Sequence, residues 1–291
     1  MHSFTIKDIE NLSGIKAHTI RIWEQRYSFL KPHRSDTNIR NYSNEELKVI
    51  LNIALLNKHG YKISHIDKMT SGEMKEKILL LNPLAQQERV VNALIQQMIE
   101  FETETFESTL EKYIASHGIE NTILQIVFPF LEKIGILWMT NHIIPAQEHL
   151  VSNIIRQKII NGIETTQPLV KSSENIVLFL PESEYHELGL LFMHYMLKSR
   201  GLNVIYLGAN IPLKDVEFVV NLKKPAYIYS HLTAVSQSFN FGKFISEMIK
   251  TFPTTPIILS GMITLSYLKK VSYPISFKRS FKEVIDFVNS L

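Results

Sequence analysis

The sequence predicts a multidomain chain of α and α/β class: an N-terminal winged helix-turn-helix, a helical bundle after it, and a C-terminal doubly wound parallel domain. Three observations predict it. A basic N-terminal segment holds two short helical patterns joined by a Gly-containing break; the middle shows helical periodicity with almost no strand signal; and the last third alternates short continuous apolar runs with helical patterns. A chain of 291 residues is long for one core, since domains usually run to ~100–200 residues.

Thr5, an N-cap residue type, precedes Ile6, Ile9 and Leu12 at three-residue spacing, an amphipathic helix that Ser13-Gly14-Ile15 ends. A second helix from Ala17 through Ile20, Ile22 and Trp23 to Tyr27 completes the helix, turn and helix. Pro32, Ser35, Asp36, Asn38 and Asn41, beside Arg34 and Arg40, then read as a basic loop or hairpin, a wing. Ser43 and Glu46 form a capping box ahead of the stripe Leu47, Ile50, Leu51, Ala54 and Leu55, which stops at His59-Gly60. Another helix is expected from Ser64, and these elements fill a first domain over residues 1–72. Residues 75–164 read as a helical domain, broken at Ser116-His117-Gly118 and in a loop over residues 140–145. Polar residues 165–173 read as a linker. From 174 to 291, strands expected at 176–180, 204–207, 226–229 and 257–259 alternate with helices at 186–200, 213–222, 239–250 and 281–291, the pattern of a Rossmann-like sheet.

Composition narrows the chemistry. Cysteine is absent, which removes disulfides, thiolate metal sites and cysteine nucleophiles together. Residues 1–62 hold ten Lys and Arg against six Asp and Glu, so the net charge of +3 sits at the N-terminal end, where it suits a polyanionic partner. No run approaches the ~18 apolar residues of a membrane span. The first ten residues already carry Lys7, Asp8 and Glu10 and no apolar signal core. A cytoplasmic location and no membrane partner are expected.

Residues 18–27 place His18, Arg21, Arg26 and Tyr27 on the helix after the turn, with Arg34, Arg40 and Tyr42 in the wing. A recognition helix needs cations for phosphates and donors for base edges there. The plain alternative is a solvated basic helix. Thr19-Ile20-Arg21, Trp23-Glu24, Arg26-Tyr27, Pro32, Arg34, Arg40 and Tyr42-Ser43 resemble the MerR winged-helix signature over residues 3–70. That resemblance implies dimers on double-stranded operator DNA. Asp36-Thr37-Asn38 stands where that family commonly has a Gly-Gly pair, and its metal-sensing members often use cysteines that this chain lacks.

A second constellation follows the first strand of the α/β domain: Glu184-Tyr185-His186-Glu187-Leu188-Gly189, at the sheet edge where such folds bind ligands. Glu184 is placed to hold one ring nitrogen of His186, as metal-ligating histidines require. A solitary His near a strand end is more often plain surface. Forty residues separate Gly189 from Ser230-His231-Leu232, and twenty-seven more separate Leu232 from Ser260-Gly261. This spacing resembles the cobalamin-binding signature of acid-any-His-any-any-Gly, Ser-any-Leu and Gly-Gly, over residues 175–291. The resemblance implies His186 as the lower axial ligand of cobalt. It further implies that Gly189, Ser230 and Leu232 accommodate the displaced nucleotide tail and that Ser260 and Gly261 line its slot. Glu184 replaces the commoner Asp, Ser260 replaces the first Gly of the pair, and His231 takes a position the signature leaves free.

Trp138, with Glu148-His149 ten residues on, would alone suggest a core Trp and an exposed polar pair. Together with the domain order it resembles the cap of the light-responsive cobalamin repressors, the CarH/LitR group. There the resemblance implies Trp138, Glu148 and His149 against the upper ligand. That group's best-known members have His directly after the Trp, whereas this chain has Met139. A thioether is a poorer partner for oxidised cobalt than imidazole, which tells against light-driven bis-histidine capture.

The expected function is a repressor and not an enzyme: adenosylcobalamin, or methylcobalamin, held by cap and α/β domain, favours the dimer or tetramer that grips DNA, with light a candidate second input. Two alternatives stay open, a cofactor-independent regulator working through protein partners and a cobalamin-dependent methyltransferase or mutase subunit.

Overall fold

The computed structural model describes residues 3–139, 143–168, 172–233 and 239–291, except the side chain of Met139. Residues 140–142 of the expected loop and 169–171 of the expected linker lie outside the described residues, as does the Met139 thioether. The chain forms two compact units, Met1–Ile154 and Ile155–Leu291.

The first unit opens with α1 (Ile6–Ser13) and α2 (Ala17–Arg26). Thr5 and Asp8 cap α1 reciprocally, Asp8 accepting from the Thr5 amide at 2.7 Å. Gly14 ends the helix at φ 74°, a left-handed value that suits glycine. The wing is an antiparallel pair, β1 (His33–Arg34) and β2 (Arg40–Asn41). Its tip turns on Asn38 at φ 64°. Asparagine is among the few non-glycine residues that take this conformation, so a wing forms here without the Gly-Gly pair. Phe4 and Tyr42 exchange two backbone hydrogen bonds of 2.8 Å, which tie the N-terminal segment to the base of the wing.

The Ser43–Glu46 capping box opens α3 (Asn44–Lys58), whose buried stripe includes Leu47, Ile50, Leu51, Ala54 and Leu55. Where one helix was expected from residue 64 there are two, α4 (Ile63–Ile66) and α5 (Ser71–Leu79), because Thr70 and Glu73 form a further capping box between them. The helical region continues with α6 (Pro83–Ile99), α7 (Thr103–Thr122), a π-helical turn (Ile123–Val127), α8 (Phe128–Met139) and α9 (Pro145–Thr165). The break expected near residues 116–118 is a single non-helical residue, Gly118 at φ 76° and ψ 162°. Buried Gln147 donates to Ile99 O at 3.1 Å and accepts from Ile144 N at 3.0 Å, which fixes the start of α9 to the end of α6. Among the described residues no helix is long and apolar enough to cross a membrane.

The second unit is built on a parallel sheet of β3 (Asn175–Pro181), β4 (Asn203–Ile211), β5 (Tyr227–His231), β6 (Ile257–Ser260) and β7 (Ile275–Lys278), in the order β4-β3-β5-β6-β7. Helices α10 (Leu188–Ser199), α11 (Leu213–Lys223), α12 (Phe241–Thr251), α13 (Met262–Ser266) and α14 (Phe281–Asn289) connect and close it. Both faces are covered. Val177, Ile228 and Ile257 share a core with Val216 of α11 and Phe244 of α12, whereas Tyr227, one residue along, meets Phe287 of α14 edge to face at 5.5 Å. Strand order reverses at β3 and β5, and a ligand crevice lies at the carboxyl ends of strands flanking such a switch. The four strands expected from the apolar runs all occur, and β7 and α13 join them. The first crossover helix starts at Leu188 rather than residue 186, which leaves His186 in the loop ahead of it.

Candidate functional site

The end of β3 is shaped to present His186. After Pro181 the backbone turns through Ser183 at φ 71°, whose amide donates to Asn210 Oδ1 at 3.0 Å, and Asn210 N donates to Glu184 O at 3.2 Å. Glu184 is wholly buried. Its Oε1 accepts from the His186 amide at 2.9 Å and lies 2.6 Å from His186 Nδ1, while its Oε2 accepts from Thr233 N at 3.0 Å. A buried carboxylate in that position holds the proton on Nδ1 and leaves Nε2 as the donor atom for a metal. The His186 side chain is 58% exposed, as a ligand-bearing ring must be. Thr233 sits two residues past β5, so the same carboxylate joins the loops after both strands of the switch point.

Glu187, which sequence reasoning passed over, braces the next position. Its Oε2 accepts from Arg156 of α9 at 2.6 Å and its Oε1 from the Tyr206 hydroxyl at 3.0 Å. Burial, and then the Glu187 charge, push the Tyr206 phenol above its ordinary range.

The residues expected to line the slot sit at the ends of β5 and β6 and at the start of α10. Ser230 is wholly buried and its Oγ has no hydrogen-bond partner among the described residues. An orphaned buried hydroxyl costs ~1–3 kcal/mol unless something else satisfies it. Leu232 is buried beside it. Gly261, at φ 95°, lies so close to the Leu232 backbone that a Cβ there would stand 2.3 Å from Leu232 O. Gly189 is in contact with the His231 ring: a Cβ would stand 2.4 Å from His231 Cδ2 and 2.6 Å from Nε2. Ser260 Oγ is 2.6 Å from the Tyr229 hydroxyl and 2.8 Å from His231 Nδ1. Burial pushes the His231 imidazole down to about 4, against a smaller opposing effect of Glu184, so the ring is neutral at ordinary pH. His231, read as incidental in the sequence, is thus bonded to the very residue that departs from the Gly-Gly pattern.

The cap residues lie in the first unit. Trp138, in the last turn of α8, is 47% exposed. Glu148 and His149 open α9, with His149 Nδ1 2.7 Å from Glu148 Oε2 and Ser152 Oγ donating to Glu148 Oε1 at 2.5 Å.

In the helix-turn-helix, α2 buries Ile20 and Trp23 and exposes His18, Arg21, Ile22, Gln25 and Arg26. Those positions recur at helical spacing and form one outer face, to which Gln25, which the sequence reading did not single out, adds an exposed amide of the kind that can pair with a base edge. Tyr27 is half-buried and stacks on Phe29 at 5.6 Å. Arg34 is exposed and donates to Asn38 Oδ1 at 2.8 Å. Tyr42 departs from expectation as a DNA contact: it is fully buried, with its hydroxyl donating to Glu24 Oε1. Arg40 Nε donates to Glu24 Oε2 at 2.7 Å, so both wing residues are drawn inward by one α2 carboxylate.

The order of domains agrees with comparison to known proteins. Residues 4–73 match the model of the MerR HTH family regulatory proteins, and residues 90–160 match that of a B12 binding domain. The HTH-type transcriptional repressor CarH of Myxococcus xanthus is 23% identical over 273 residues, covering 91% of each chain. The HTH-type transcriptional repressor CarA of the same organism is 24% identical over 289 residues, 98% of this chain and 96% of its own. The monomethylamine corrinoid protein of Methanosarcina barkeri is similar in fold, with a TM-score of 0.55 at 10% identity over 70% of this chain and all of its own. The chain thus carries a MerR HTH domain followed by a B12 binding domain and is homologous along nearly its whole length to the CarH and CarA repressors.

Proposed function

We propose that this protein is a cytoplasmic transcriptional repressor whose grip on operator DNA depends on cobalamin, with adenosylcobalamin the form bound. The observation that carries the reading is the Glu184–His186 pair at the switch point of the sheet, in a chain that also carries a MerR HTH domain. The residues fit the cofactor. His186 Nε2 would ligate cobalt, Glu184 would hold the ring and its proton, and Ser230 would bond the nucleotide tail. Gly189, Leu232, Ser260 and Gly261 would bound the slot. A bound adenosylcobalamin supplies a labile bond between cobalt and its upper ligand, through which light is a candidate input. Trp138, Glu148 and His149 would contact that ligand.

The DNA-facing set is His18, Arg21, Gln25, Arg26 and Arg34, with Tyr27 at its edge and Arg40 and Tyr42 acting through Glu24 to hold the wing. Half-sites read by a dimer, or by a tetramer, follow from the MerR plan. The three domains of this mechanism are residues 1–72, 75–164 and 174–291.

His186→Ala is expected to weaken adenosylcobalamin binding by at least about tenfold, measured by absorption titration in the dark, and to abolish cobalamin-dependent retardation of operator DNA. Retention of that dependence in the variant would refute the reading. A change of spectrum and of gel-filtration size under green light would establish the light input. A second reading, a cofactor-independent regulator, draws on one observation, the His231 ring against Gly189; wild-type protein that binds no corrinoid would select it.

A further inference from the structure

The motif explains why residues 189 and 230 are Gly and Ser, but not why residue 260 is Ser or residue 231 His. The structure links these two departures. Ser260 Oγ sits within hydrogen-bond distance of both Tyr229 OH, at 2.6 Å, and His231 Nδ1, at 2.8 Å. Tyr229 and Ser260 are wholly buried, so the chain Tyr229–Ser260–His231 is a polar track anchored in the sheet. Its free end, the edge of the imidazole bearing Nε2 and Cδ2, lies against the α-carbon of Gly189. The space that the missing Gly189 side chain leaves is therefore taken by this chain's own His231.

We propose that His231, held by Ser260 and Tyr229, is a gate on the tail slot, discriminating corrinoids by their lower nucleotide: a corrinoid without the aryl-nucleotide tail meets no obstacle, whereas one that carries it binds only with the imidazole displaced. This rests on the cobalamin reading above and concerns the part of the ligand that His186 displaces. Displacement breaks the Ser260–His231 hydrogen bond, an interaction whose net worth corresponds to roughly 3- to 10-fold in an equilibrium.

The test compares adenosylcobalamin with adenosylcobinamide, which lacks the nucleotide tail, by absorption titration of the full chain in the dark. Wild type, His231→Ala and Ser260→Ala are titrated with both. Ser260→Ala removes the tether with little change of volume, so it serves if His231→Ala folds poorly. Both variants are expected to tighten adenosylcobalamin by about 3- to 10-fold and to leave adenosylcobinamide unchanged. A merely structural role would move both ligands together. An unchanged ratio of the two affinities, or a ratio shifted towards adenosylcobinamide, overturns the gate while leaving the cobalamin reading intact. Wild type that binds neither corrinoid overturns both.

Discussion

At the scale of single residues, the site is written in side chains whose partners are far away in sequence. Glu184 and His186 were legible because a single residue separates them and their chemistry is local. The role of Ser260 was not, since its partners Tyr229 and His231 lie on the neighbouring strand and only the parallel register, His231 opposite Ser260, brings them together. Two histidines of the second unit also set its response to acid. Burial holds His231 and His194 as neutral imidazoles down to about 4, His194 with further help from the nearby Lys198 charge. In the unfolded chain both titrate near the ordinary 6.5. Above that pH the two states are equally unprotonated and nothing changes. Between about 6.5 and about 4 the unfolded chain binds protons that the folded one refuses, so stability falls as pH falls, by at most ~1.4 kcal/mol per pH unit for each histidine, and by less for the part-exposed His194. Thermal melts of wild type, His231→Gln and His194→Gln across that range should show the fall and its flattening in each variant. Identical slopes in all three would assign the acid loss to other groups.

Elements were more legible than contacts. Helix starts announced themselves through Thr5 with Asp8 and Ser43 with Glu46, because a capping box is local chemistry, and the apolar runs of β3, β5 and β6 are continuous because both faces of those strands are covered. Strand β7 was missed because it is four residues long and only Ile275 is fully buried, too short for a periodicity. The wing was half legible. Its basic residues marked it as a DNA element, yet their number hid that Glu24, on α2, withdraws Arg40 and Tyr42. That division of labour is measurable. Arg21→Ala should weaken operator binding and lower the slope of log affinity against log salt by about 1, the signature of one lost phosphate contact. Tyr42→Phe should instead cost about 0.5–1.5 kcal/mol of stability and leave the salt slope as it was. A reduced slope in Tyr42→Phe would return that residue to the DNA face.

At the scale of the whole molecule, the operator reader occupies residues 4–73 in one compact unit and His186 belongs to the other. A cofactor can move the DNA equilibrium only through a difference in its affinity for the DNA-competent and DNA-incompetent assemblies, and that difference is reciprocal. If adenosylcobalamin tightens operator binding by a given factor, operator DNA must tighten adenosylcobalamin binding by the same factor. Couplings of this kind are typically worth ~1–3 kcal/mol, or about 5- to 150-fold. The check is a pair of dark titrations on one preparation at one salt concentration: duplex into protein with and without adenosylcobalamin, and adenosylcobalamin into protein with and without the duplex that the loaded protein retards most strongly. Matching factors within that range identify a one-component switch in which the corrinoid sets the assembly state. A factor of one in both directions would mean that the corrinoid serves the fold and not the operator, and a repressor of this architecture would then take its signal from a partner.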